Sequence, residues 1–174
     1  MMKNSSVTQL LLALYLGFFS TQIFAANDEV DGGGTVTDVV LTDNVLWTSL
    51  ISVTHTVNGG VGTNDCMVVA SADVTNPGAA SEKQYLFTIT RNNTNPGTNG
   101  TAERTLGFVD NSGVDDINTQ PVSTNVSFKN LTSTNGTAGT NQHTFYFLAK
   151  KKTADAPDAT VEDSRIDFVC VDRD

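Results

Sequence analysis

Apolar and polar residues alternate in short runs along most of the chain, and clusters of Asn, Gly, Pro and Asp separate the runs. Residues 46–57 (LWTSLISVTHTV) are rich in β-branched side chains and stop at Asn58-Gly59-Gly60, the pattern of a strand closed by a turn. Cys66, Val68, Ala70, Ala72 and Val74 fall on one face of the next strand, which Asn76-Pro77-Gly78 ends. Tyr85, Phe87 and Ile89 share a face, with Thr88 and Thr90 opposite them. A polar loop follows at residues 92–100, a short strand carries Leu106 and Phe108, and a second loop runs over residues 110–118. Val122, Thr124, Val126 and Phe128 alternate again. Residues 143–149 (HTFYFLA) are the most apolar run after the leader, which predicts a central strand. Ile166, Phe168 and Cys170 lie on one face of the last.

About eight strands result, with no amphipathic helix between them and no internal repeat of fixed period. Short strands spaced by turn residues predict an all-β fold, an antiparallel β-sandwich with jelly-roll or Greek-key connections. Composition agrees. Thr and Asn make up nearly a quarter of the chain, and both suit strands and turns better than helix interiors.

The two ends of the pattern differ from the rest. Lys3 followed by a ten-residue apolar stretch (10–19, LLLALYLGFF) and by Ala25 reads residues 1–25 as a secretory signal peptide. The stretch is too short to cross a hydrocarbon core of roughly 30 Å as a helix. A secreted, periplasmic or cell-surface protein with no membrane span after cleavage is therefore expected. Residues 26–45 carry Asp28, Glu29 and Asp31 ahead of Gly32-Gly33-Gly34, which predicts a flexible acidic arm with an apolar patch at Val36, Val39 and Leu41. The sandwich itself is expected over residues 46–174.

Cys66 and Cys170 are the only cysteines. In an oxidising compartment they should form a disulfide, which would place the final strand beside or across from the Cys66 strand.

Charge excludes some partners. With 10 Lys and Arg against 19 Asp and Glu, the net charge is −9, which disfavours nucleic acid and anionic membranes. Catalytic groups are sparse. The chain has no Gly-x-Ser-x-Gly elbow, no His-Glu-x-x-His and no phosphate loop, and His55 and His143 are its only histidines, read as strand-edge residues. No enzyme and no catalytic residue are expected. Asp110, Ser112, Asp115, Asp116 and Asn118 put hard oxygen ligands within nine residues, a loop able to hold calcium, or a set of Asx-turns between strands. Asp155, Asp158, Glu162 and Asp163 form a second acidic group. Lys150-Lys151-Lys152 reads as a solvated strand end. One Trp, Trp47, gives little material for a sugar-stacking platform.

Two functions fit these observations. The first is an exported structural or interaction protein, whose arm adds a strand to a neighbouring copy and builds an assembly or fibre. The second is a small secreted binding module for a glycan or other ligand, assisted by calcium.

Overall fold

The computed structural model describes residues 29–57, 63–76, 83–96, 102–108, 118–137 and 140–173. Within them the chain forms nine strands: β1 (Glu29–Thr35), β2 (Val39–Leu41), β3 (Thr48–Thr56), β4 (Thr63–Asn76), β5 (Lys83–Arg91), β6 (Ala102–Phe108), β7 (Asn118–Leu131), β8 (Gln142–Lys151) and β9 (Ala159–Arg173). Every pairing is antiparallel. One sheet has the order β1-β9-β4-β7, with β2 also on β9, and the other the order β3-β8-β5-β6. The pairs nest: β1 and β2 with β9, β3 with β8, β4 with β7, β5 with β6. That is one long antiparallel ribbon rolled into two layers, the jelly-roll order.

The alternation seen in the sequence becomes the core. Cys66, Val68, Ala70, Ala72 and Val74 of β4 face Tyr85, Phe87, Ile89, Phe145 and Phe147 of the other sheet, and all are buried. Phe145 joins the layers: its ring stacks on Phe128 at 5.2 Å between centroids and lies 5.7 Å from Phe168. Apolar burial of this kind stabilises by about 1.5–3 kcal/mol for each large side chain.

The outer face of β5 departs from the expected pattern. Leu86, Thr88 and Thr90 are buried there, and so is Leu148, the register partner of Thr88 on β8. β5 and β8 are the two central strands of their sheet, so the central place expected for residues 143–149 is where β8 lies. Bulges shift the register between Ser49 and Ile51 on β3, and on β4 between Asn64 and Cys66 and between Ser71 and Asp73. Asn92, Asn130 and Asp163 take positive φ, the short polar residues that tolerate it best. At the end of β5, Asn92 closes the strand on β8: its N–H donates to the Thr144 carbonyl, and its Oδ1 accepts from the Thr144 N–H at 2.9 Å.

Candidate functional site

Of the acidic segment, residues 29–45 are described, and their strands β1 and β2 form the edge of the five-stranded sheet rather than a free arm. All seven residues of β1 pair along β9, from Glu29 opposite Cys170 to Thr35 opposite Ser164, and β2 continues from Val39 opposite Val161 to Leu41 opposite Ala159. The physical reason is the edge of β9. Without a neighbour it would present a row of unpaired N–H and C=O groups, and any extended segment can satisfy them whatever its side chains. Glycine even helps. A Cβ at position 32 would stand 2.0 Å from Asp167 Oδ1 and 2.9 Å from the Ile166 carbonyl, so Gly32 lets the Asp167 side chain lie over β1. Of the three residues expected to carry the arm's contacts, only Leu41 is fully buried. Val39 is half-buried, and Val36 is 85% exposed in the break between the two strands.

One side chain of β1 reaches deep. Glu29 bonds His55 Nδ1, tying the first strand to β3 in the opposite sheet. His55 is buried, packs edge-on to Phe168 at 5.6 Å, and has its ligand nitrogen within 4.8 Å of the sulfurs of Cys66 and Cys170. His143 is its register partner on β8 and is buried too. Its Nε2–H donates to the Thr132 carbonyl at 3.0 Å. Burial holds the His143 pKa below the usual imidazole value and the charges of Arg91 and His55 add to this, while the Thr132 bond opposes it. Both histidines are therefore interior residues, a correction to their reading as strand-edge positions. A threonine-rich strand hid this, because Thr occupies either face.

The disulfide is present between Cys66 and Cys170, which are directly opposite on β4 and β9 with Cα atoms 4.1 Å apart. Among the described residues, His55, Cys66 and Cys170 are the one group of metal-ligating type close enough to share an ion. With the sulfurs bonded to each other there is no thiolate for a metal, and Nδ1 is taken by Glu29. The cluster works as a structural clamp on the end of β9.

Of the candidate calcium ligands, Asp110, Ser112, Asp115 and Asp116 lie outside the described residues. Asn118 opens β7 and is the register partner of Asn76. In the second acidic group, Asp155 pairs with Lys83 at 2.7 Å and Asp158 with Lys151 at 3.0 Å. The Lys83 ammonium and a Thr153 hydrogen bond hold the Asp155 pKa down to about 2. Tyr85 belongs to the same end of the sandwich: its OH donates to the Pro157 carbonyl at 2.8 Å, and burial, reinforced by Asp158, pushes its pKa up to about 12. The lysine run is not a simple solvated strand end. Lys150 lies 4.9 Å over the Trp47 ring, Lys151 is buried, and Lys152 bonds Gln84.

The outer face of the five-stranded sheet holds a feature missing from the sequence reading. Val30, Met67, Val69, Val169 and Val171 are exposed there, Val30 by 76% and Met67 by 55%. Val30 and Met67 both pair with Val169, and Val69 pairs with Asp167, so the side chains form one patch across β1, β9 and β4. A shallow groove runs over Val30, Met67, Val69 and Val169, bordered by Arg165 and Asp167, which pair at 2.6 Å. Arg173 and Asp65 pair at 3.1 Å at the other end of the patch. The signal was legible: residues 67–69 and 169–171 are apolar at outward positions between the inward ones.

No family model matches the chain, and no curated protein matches it.

Proposed function

We propose that this protein is an exported structural or interaction subunit that self-associates by exchanging residues 29–41 between copies. The observation that carries the reading is how these residues are held. They add two strands to β9 mainly through backbone pairing, and β1, Gly-rich and largely exposed, makes few side-chain demands on the partner. The contacts that hold the segment in its own chain would hold it equally on the β9 of a neighbour, through strand addition. Glu29 and Leu41 provide an anchor at each end, toward His55 and the core. A clamp of Cys66 to Cys170 keeps the receiving strand fixed while the donor changes. Export agrees with the disulfide, which persists in oxidising compartments.

Cross-linking tests it. Gly34 and Arg165 are register partners, and a Cβ at 34 meets only ordinary contacts. In a Gly34→Cys/Arg165→Cys variant, oxidation at high protein concentration should give a ladder of covalent oligomers on a non-reducing gel. Internal cross-linking alone, with every molecule at monomer mass, would sink the exchange.

A further inference from the structure

We propose that the buried cluster at the end of β9 is a metal site in the reduced protein: with the disulfide open, the thiolates of Cys66 and Cys170 and the imidazole of His55 bind one zinc ion. These ligands come from β4, β9 and β3 of a single chain, so the site does not depend on strand exchange. Four observations carry it. The ligand atoms are already gathered, within 4.8 Å of one another, and all three residues are buried. A tetrahedral ion with Zn–S of about 2.3 Å and Zn–N of about 2.0 Å needs such atoms about 3.5–3.8 Å apart, an adjustment within reach of side-chain torsions. Opening the disulfide does not scatter the sulfurs. The β4–β9 ladder continues on both sides of them, with Asp65 opposite Val171 and Met67 opposite Val169.

The third observation is the state of His55. Its Nδ1–H donates to the Glu29 carboxylate, which leaves the lone pair of the neutral ring on Nε2. That nitrogen is buried and has no hydrogen-bond partner among the described residues. A carboxylate on one ring nitrogen is the common support of a histidine whose other nitrogen binds a metal, fixing its tautomer and raising its basicity. The fourth is access. The Glu29 side chain is 38% exposed and that of His55 only 2%, so the cluster lies one side chain from solvent. Two thiolates and an imidazole select zinc over calcium or magnesium, which take oxygen ligands, and the fourth position is left to water.

The chain carries two thiols when it is made, before an oxidising compartment joins them, and again when a dithiol reductant opens the bond. The reductant passes two electrons and two protons to the sulfurs and closes to its own disulfide. Zinc then displaces one proton from each thiol, and both protons leave to solvent. The bound ion holds β9 to β4 and β3 in place of the covalent link.

The test is titration with Co²⁺ and then Zn²⁺ of purified protein reduced with a dithiol, which anaerobic gel filtration removes, beside the oxidised protein. Circular dichroism follows the fold throughout. The reduced chain should take one Co²⁺, with thiolate-to-cobalt absorption in the near ultraviolet and the visible bands of tetrahedral cobalt, and Zn²⁺ should displace it. The oxidised protein should show neither. His55→Gln should weaken binding at least tenfold and alter the visible bands. Where that variant does not fold, the half-buried Glu29 decides through Glu29→Gln, also expected to weaken binding about tenfold. A reduced chain that is unfolded alone and folds on zinc supports the site as well. A folded reduced chain that takes no cobalt overturns it, as does a reduced chain that stays unfolded with and without zinc. Equal binding by the oxidised protein overturns it too. So does an affinity and spectrum unchanged in the deciding variant, which assigns the ion to other groups.

Discussion

A histidine shut away from water resists taking a charge, and His143 illustrates the consequence for stability. Its proton is held more weakly in the folded chain than in the unfolded one, chiefly through burial. As pH falls through about 6.5, the unfolded chain therefore takes up a proton before the native state does. The stability that depends on neutral His143 is complete above that pH and is lost as pH drops toward the lower native value. The melting temperature should fall between pH 7 and pH 5, and His143→Gln, which keeps a donor for Thr132, should flatten the fall. An identical pH profile in the variant would assign the acid sensitivity to other groups. Sequence reading found both histidines and gave them no interior role. Only the register of β3 against β8 puts them side by side, and periodicity within a single strand carries no information about its partner.

Among the elements, β9 bears the most. It pairs with β1 and β2 on one side and β4 on the other, and the disulfide joins it to β4 at one end. Replacing both cysteines by alanine removes a cross-link between positions 104 residues apart, which should lower unfolding free energy by about 2–4 kcal/mol. Urea unfolding measures it, and an unchanged midpoint would show that the β-ladder alone carries the strand. This placing of the last strand beside the Cys66 strand was readable from the cysteines. The docking of residues 29–41 was not, because backbone groups that complete an edge leave no mark in side-chain pattern. A Gly-rich acidic stretch has the same text whether it pairs or hangs free.

For the whole molecule, a column of phenylalanine rings links the two sheets within the core. Phe145 touches both Phe128 and Phe168, which come from the opposite sheet. Phe145→Ala should cost about 3–5 kcal/mol through lost burial and an unfilled cavity. A loss under about 1 kcal/mol in a thermal or urea melt would mean that the column repacks and that the layers are held elsewhere. The far end of the sandwich is pinned differently, by Lys83 with Asp155, Lys151 with Asp158, and Tyr85 with Pro157. Acidic residues there serve as partners for lysines of β5 and β8, which a scan for oxygen ligands alone had no means of foreseeing.

Period-two alternation determined the strands after the first segment, most of their inward faces and the class of fold, because burial acts on each side chain through its position in the pleat. Two cysteines in an otherwise cysteine-free chain determined their own pairing. Tertiary structure decided which strands are neighbours, which edge the first segment fills, and that Glu29 meets His55 across the layers. It also decided that five apolar residues on separate strands meet on an outer face. These are relations between distant residues, and they exist only once the ribbon has rolled up and brought its two ends together on β9.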